Sequence, residues 1–179
     1  MTNLNQLQQT LDTSDKLHEF SAHYNWDDGF EIPTWIINNP LCDRGTALMM
    51  YWLAEPHYFC QYTTRDEVKR EWELENYGFI QEVEEKYING FYKIRKILFN
   101  PRHDMSNGML GHDWTQVNSK RPQRREIPPE MFEPSIQDTK WEKAGKPIEP
   151  TRKINYDGFK PIREWLEKLK DEGSDENSV

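Results

Sequence analysis

The sequence has few cysteines, no long apolar run and no secretory signal. Its only cysteines, Cys42 and Cys60, are too few for a disulfide scaffold in a chain of 179 residues. No stretch of about 18 uncharged apolar residues occurs, which excludes a membrane-spanning helix. Residues 1–6 lack the basic and apolar regions of a signal peptide. Together these absences predict a cytoplasmic protein with reduced thiols.

Motifs for nucleotide binding and covalent catalysis are also missing. The chain contains neither G-x-G-x-x-G nor G-x-x-x-x-G-K-S/T, and no serine stands in a nucleophile elbow. Cys42 precedes a predicted helix N-terminus, a position that lowers a thiol pKa, so catalysis by this thiol is one hypothesis. A small buried cysteine without reactivity is the commoner outcome. We predict a protein that is not an enzyme and needs no cofactor.

The sequence is rich in aromatic side chains, and its charge is unevenly distributed. Aromatic residues make up 13% of the chain and include seven tryptophans, so a few large rings can build a core. Residues 1–92 carry 16 acidic and 6 basic side chains, residues 93–125 carry 2 acidic and 8 basic, and residues 126–179 carry 13 acidic and 9 basic, which together give the formal net charge of −8. An acidic body repels nucleic acid and favours a basic protein partner. The basic stretch, with Lys120-Arg121 and Arg124-Arg125, either contacts nucleic acid or docks on the acidic part of the same chain.

Apolar residues recur at helical spacing in the first half of the chain. The pattern predicts a short helix through Leu4, Leu7 and Leu11, and a second helix capped by Thr13 or Ser14 with Leu17, Phe20 and Tyr24 along one side. Further helices are predicted over Phe30–Asn38 and Arg44–Ala54. The last of these, with Asp43 as its N-cap, is apolar nearly all round, so we expect it at the centre of the core.

Two further helical segments are predicted after residue 54. Thr64-Arg65-Asp66-Glu67 matches a capping box, and a helical region follows it to about Asn76. Tyr77-Gly78 interrupts the pattern, and a second segment runs from Phe79 to about Phe99 with Gly90 as a weak point.

From Asn100 onward the periodicity disappears and prolines become frequent. We predict an all-α fold, an irregular bundle of five to seven helices with a long extended Pro-rich arm. Its parts are a helical core domain over 1–99, an extended arm packed on the core over 100–157, a C-terminal helix of the same domain over 158–170, and a disordered tail over 171–179.

Two His-Asp pairs, His103-Asp104 and His112-Asp113, stand nine residues apart in a glycine-containing loop. Imidazole and carboxylate are ligands for zinc, iron or manganese, so these four residues are the candidates for a metal-dependent hydrolase. Polar loop chemistry, with aspartates capping turns, is the simpler interpretation because no further ligand stands nearby. We therefore predict no metal.

Several rare residues occur at fixed spacing between positions 25 and 52. They are Asn25-Trp26-Asp27-Asp28-Gly29, Ile32-Pro33, Cys42-Asp43, Gly45-Thr46-Ala47-Leu48 and Tyr51-Trp52. The pattern N-W-D-D-G…P…C-D-x-G-T-A-L…F/Y-W resembles an uncharacterised bacterial domain family over roughly residues 17–90. The resemblance implies a cytosolic protein from polymorphic-toxin and secretion-system loci, where small acidic proteins tend to be immunity proteins. The residues themselves indicate a structural motif: Trp26 and Trp52 pack, the carboxylates cap helices, and Gly45 with Ala47 allows close helix approach.

Our leading hypothesis is an immunity-type protein that binds and neutralises a cognate bacterial toxin in the cytoplasm, with no nucleic-acid or membrane partner. The predicted contacts are acidic side chains of the 55–77 segment and two later tryptophans: Asp66, Glu67, Glu71, Glu73, Glu75, Trp114 and Trp141. The metal-dependent hydrolase is the alternative, and a scaffolding subunit is the third hypothesis.

Overall fold

Six α-helices organise the part of the chain that the computed structural model describes, which is residues 4–105, 111–117 and 121–136. They are α1 (Leu4–Thr10), α2 (Ser14–Ala22), α3 (Glu31–Asn38), α4 (Arg44–Leu53), α5 (Pro56–Phe59) and α6 (Glu71–Ile88). Short 3₁₀ helices cover Trp26–Asp28, Arg65–Glu67 and Pro129–Phe132. These ranges contain no β-strand, so the all-α prediction is confirmed.

Some predictions fall on residues beyond these ranges. The arm past residue 136, the helix over 158–170, the tail over 171–179 and Trp141 all lie outside the described residues. None of the described helices combines the length and the apolar character that crossing a bilayer requires.

Helix α4 lies at the centre of the core, as its apolar sequence predicts. Residues 45–52 are all buried, and α4 packs against both α2 and α6. On one side Thr46 Oγ1 lies 3.1 Å from Nδ1 of His18 in α2. On another side the Tyr51 hydroxyl donates to Oε1 of Glu84 in α6 at 2.6 Å. The helix is apolar nearly all round because it has neighbours nearly all round.

Asp43 joins the start of α4 to the segment that follows α6. Its fully buried carboxylate accepts the N–H of Gly45 at 2.7 Å through Oδ1, which caps α4. Oδ2 accepts the N–H of Lys96 at 2.7 Å and that of Ile97 at 3.3 Å. A Cβ on Gly45 would overlap the carbonyl oxygen of Ile97. The approach at this glycine is close, but the predicted helix partner is wrong: the backbone of Ile97, after α6, is what lies against it.

The helical segment predicted to continue past Gly90 ends instead at Ile88. Gly90 has φ +69°, a left-handed conformation that glycine adopts without strain. Its N–H donates to the Tyr87 carbonyl at 3.3 Å, and the N–H of Phe91 donates to the Lys86 carbonyl at 2.9 Å. These two bonds form a Schellman motif, so Gly90 terminates the helix and is not a weak point in its interior.

The start of α6 also differs from the prediction. Thr64 makes no capping bond, and only a short 3₁₀ turn follows it. Glu67 instead accepts from the N–H of Thr63 at 2.9 Å and from its hydroxyl at 3.3 Å. Helix α6 begins at Glu71, and the break predicted at Tyr77-Gly78 does not occur.

The two motif tryptophans pack in separate clusters. Trp26 meets Phe79 of α6 with ring centroids 5.7 Å apart. Trp52 meets Phe132 at 5.5 Å, and its indole N–H donates to the Met131 carbonyl at 3.0 Å. The second cluster shows that the chain returns to α4 after residue 121.

Residues 121–136 are fastened to the core at several points. Ile127 and Met131 are buried in it. The Ser135 hydroxyl accepts the N–H of Phe99 at 2.9 Å and donates to the carbonyl of Ile97 at 2.8 Å. This described part of the predicted arm therefore packs on the helical core.

Candidate protein-binding surface

An exposed tryptophan stands among carboxylates at the start of α6. Trp72 keeps 56% of its surface exposed, the largest exposure of any large hydrophobic residue that the structure describes. Glu71 and Glu75 are exposed beside it at helical spacing, and Asp66 is exposed in the preceding 3₁₀ turn. The guanidinium carbon of Arg70 lies 6.0 Å from the Trp72 ring centroid. We call Asp66, Glu71, Trp72 and Glu75 the Trp72 face.

Sequence reasoning missed Trp72. Counted along α6, it lies on the same side of the helix as Phe79 and Val83, which are both buried. Periodicity alone therefore assigns all three residues to the core. Trp72 stands in the first turn of α6 on a side that stays exposed, whereas Glu73 in the same turn is buried against Tyr58 and Tyr62. The acidic residues immediately before and after it, Glu71 and Glu73, were the available signal.

Glu73 is buried and bonded within the chain, so it is not part of the exposed surface. It is 3% exposed, and its two oxygens accept the hydroxyls of Tyr58 at 2.7 Å and Tyr62 at 3.2 Å. The bond to Glu73 raises the pKa of Tyr58, and burial followed by the Glu73 charge raises that of Tyr62. Both phenols thus stay protonated donors. We therefore leave Glu73 out of the Trp72 face.

Glu67 is occupied by a partner within the chain. Its carboxylate accepts both terminal nitrogens of Arg124, at 2.9 and 3.0 Å. The Thr63 amide, and after it the Arg124 guanidinium, holds the pKa of Glu67 below its usual range. The acidic residue therefore contributes to a contact with the returning segment.

A second arginine forms a buried network with the core. Nη1 of Arg125 donates to Oε2 of Glu84 at 2.7 Å, and the other oxygen of Glu84 accepts from Tyr51. The backbone N–H groups of Arg124 and Arg125 both donate to the Cys60 carbonyl, at 2.8 and 3.0 Å. For these two arginines, the hypothesis that the basic stretch docks on the acidic part of the chain is confirmed.

The first His-Asp pair contributes to local structure. Asp104 is buried, its N–H donates to the His112 carbonyl at 2.8 Å, and its Oδ2 accepts the indole N–H of Trp114 at 2.8 Å. The His112 ring packs at 4.4 Å from the same tryptophan. Trp114 is thus held within its own loop and is only partly exposed. His103 joins the same turn through its backbone, since its N–H donates to the Asn100 carbonyl.

Asp113 of the second pair caps a turn. Its carboxylate accepts the N–H and the hydroxyl of Thr115, at 2.9 and 2.6 Å, and the side chain of Gln116 at 2.8 Å. Burial acts to raise the pKa of Asp113, but these hydrogen bonds lower it below its usual value. Among the side chains the structure describes, no group of three or more histidines, cysteines or acids is placed to hold a metal ion.

Both cysteines are buried thiols. Burial, and then the charge of Asp43, raises the pKa of Cys42. Burial likewise raises the pKa of Cys60. A nucleophilic cysteine needs the opposite shift, so the position of Cys42 before α4 does not activate it.

Comparison with known proteins adds one family. A family model described as "Domain of unknown function (DUF4274)" matches residues 12–88. The matched part runs from just before α2 to the end of α6, and it contains the Trp72 face. No curated protein and no solved structure matches the chain. The chain is therefore similar, over this range, to an uncharacterised domain family.

Proposed function

We propose that this chain is a cytosolic immunity-type protein that binds and neutralises a cognate bacterial toxin through the Trp72 face. The observation that supports it best is the 56% exposure of Trp72 beside Glu71 and Glu75. Tryptophan is the side chain most enriched among the residues that dominate protein interfaces. The exposed part of this indole contributes nothing to the core and is free to be buried by a partner.

The size of the effect fits a specific interface. Burying the exposed part of one indole contributes about 3 kcal/mol. A nanomolar complex requires about 12 kcal/mol, so Trp72 supplies one anchor and other contacts supply the rest. The carboxylates around it favour a basic partner, chiefly by accelerating association and excluding acidic surfaces. The toxin itself is proposed from the resemblance to families of toxin loci and from the acidic net charge.

The test begins with the tagged full-length chain expressed in its native bacterium. A captured protein is identified by mass spectrometry, purified, and titrated against the wild-type chain and its variants. We expect nanomolar binding, a loss of at least about 100-fold in affinity for Trp72→Ala, and slower association for Glu71→Lys with Glu75→Lys. Glu85→Lys is the matched control, because it reverses an exposed charge on the same helix away from the Trp72 face.

Neutralisation needs its own readout. The captured protein is expressed alone and then together with each variant, and cell growth is followed. Growth arrest that the wild-type chain and Glu85→Lys relieve, but Trp72→Ala does not, would support the proposal. Equal protection by Trp72→Ala, or a captured protein without toxicity, would refute it. A stoichiometric metal lost on His103→Ala with His112→Ala would instead favour the hydrolase.

A further inference from the structure

Residues 57–67 present a row of hydrogen-bond acceptors to the returning segment. The backbone carbonyls of His57, Cys60 and Gln61 point to it, together with the side-chain oxygen of Gln61 and the carboxylate of Glu67. The ring of Tyr58 lies in the same row and offers its face to a cation. We call these five residues the acceptor face. Such a surface suits a ligand that brings donors and positive charge.

Two arginines of the same chain occupy the acceptor face. The Arg124 guanidinium forms the two-pronged contact with Glu67 and also donates to the Gln61 carbonyl at 3.3 Å. Arg121 donates to the Gln61 side-chain oxygen at 3.1 Å, and its guanidinium carbon lies 4.5 Å from the centroid of the Tyr58 ring. A planar guanidinium satisfies both geometries, whereas a lysine ammonium cannot form the two-pronged contact.

The outer part of this contact is exposed and its inner part is buried. In the Arg124–Glu67 pair the side chains keep 49% and 32% of their surface exposed. In the Arg125–Glu84 pair they keep only 16% and 10%. Exposed ion pairs are weak and screened by salt, so they exchange partners readily. Arg125 therefore anchors the segment, and the guanidinium groups of Arg121 and Arg124 are replaceable.

We propose that the acceptor face is a recognition surface for arginine-bearing extended segments of a protein partner, and that Arg121 and Arg124 occupy it in the absence of that partner. The inference rests on the proposed function and names the chemistry that the partner presents. The acceptor face continues through Glu67 into the 3₁₀ turn that carries Asp66 of the Trp72 face. A partner segment that replaces the two arginines therefore lies beside the Trp72 face.

Competition by the tethered arginines sets the size of the expected effect. A segment tethered by a short linker acts at an effective concentration on the order of millimolar. A free peptide with an intrinsic Kd of about 0.1 mM would therefore bind the wild-type chain about tenfold more weakly than a chain in which Tyr58, Gln61 and Glu67 have lost their arginine partners.

The experiment uses the full-length chain with Arg121→Ala and Arg124→Ala, titrated with a synthetic peptide of the sequence of residues 121–127. Binding is followed by NMR at the side-chain amide of Gln61 and the backbone amide of Thr63, which donates to Glu67. We expect a Kd about tenfold lower for the variant than for the wild type, and weaker binding of a peptide with lysine in place of each arginine. Adding Glu67→Gln to the variant should remove the binding.

Three outcomes would overturn the proposal: no shift in the folded variant, equal affinity of variant and wild type, or equal binding of the lysine peptide. Unchanged resonances of α6 show that the variant is folded. If the double variant does not fold, Arg124→Lys serves in its place: it weakens the tethered contact because it loses the two-pronged bond to Glu67, and it should bind the peptide more tightly than the wild type by a smaller factor. The peptide assay contains no toxin, so its failure and the failure of the proposed function are separate results.

Discussion

Replacing Glu84 with glutamine tests whether the returning segment is part of the folded core. The wild-type carboxylate accepts from Tyr51 at 2.6 Å and from Arg125 at 2.7 Å, in a site where the charged side chains are 10% and 16% exposed. Glu84→Gln keeps an oxygen for Tyr51 but removes the charge that balances Arg125. The guanidinium is then left largely buried without a counter-ion, and this is the main cost.

The magnitude follows from that geometry. Removing one partner of a fully buried ion pair costs about 3–5 kcal/mol, and the residual exposure of this pair reduces the figure to about 2–3 kcal/mol. Arg125→Met should cost about 2 kcal/mol, because it leaves Glu84 with Tyr51 as its donor. The double variant should cost less than the sum of the two single variants by about 2 kcal/mol, since neither charge is then left alone.

Urea unfolding followed by circular dichroism measures these free energies. Glu85→Gln is the matched control: the same substitution one residue along α6, at an exposed side chain, should change stability by no more than about 0.5 kcal/mol. The reasoning fails if Glu84→Gln and Glu85→Gln are equally stable. It also fails if the costs of the Glu84 and Arg125 variants simply add, because the contact would then carry no coupling energy.

Two further predictions concern α4 and its neighbours. Gly45→Ala should lower the free energy of unfolding in urea by about 2–3 kcal/mol, because the new Cβ would overlap the Ile97 carbonyl. Gly78→Ala is the control: its Cβ meets only the flexible end of Arg65 at 3.4 Å, so it should be neutral or stabilising. Equal effects of the two substitutions would refute the clash at Gly45. Burial lowers the pKa of His18 from 6.5 to about 4. Between these two pH values the unfolded chain therefore binds more protons than the folded chain. The contribution of His18 to stability is complete above pH 6.5 and is lost as the pH falls towards 4. The full pKa shift corresponds to about 3 kcal/mol of unfolding free energy, and the partial exposure of His18 reduces this to about 2 kcal/mol. The urea midpoints at pH 7 and pH 4.5 should therefore converge in His18→Gln and stay apart in the wild type.

Local signals in the sequence predicted the elements that depend on local chemistry. The cap at Asp43, the buried helix after it and the helix ending before Asn39-Pro40 are all found. Each depends on residues within one or two turns of each other, so composition and spacing suffice. The same holds for the helical class of the described residues.

The errors arose where distant residues decide the outcome. In sequence, Gly90 is indistinguishable from a glycine tolerated inside a helix. Its positive φ and the two Schellman hydrogen bonds show that it ends α6. Glu73 and Glu75 look alike in sequence, but two tyrosines from the preceding segment enclose only Glu73. Trp72 has core periodicity but is exposed, because the contacts that bury Glu73 in the same turn lie on a different side of the helix.

The motif that carries the family resemblance builds the scaffold, and its bonds extend past the matched range. Asp43 is satisfied by the amides of Lys96 and Ile97, and the Trp52 indole by the Met131 carbonyl, all beyond residue 88. A buried carboxylate or indole N–H without its partner costs stability. The folded unit therefore includes the segments after α6. Asp43 and Trp52 are committed to these bonds, so under the proposed function the partner contacts belong to exposed positions such as Trp72, which lies outside the motif.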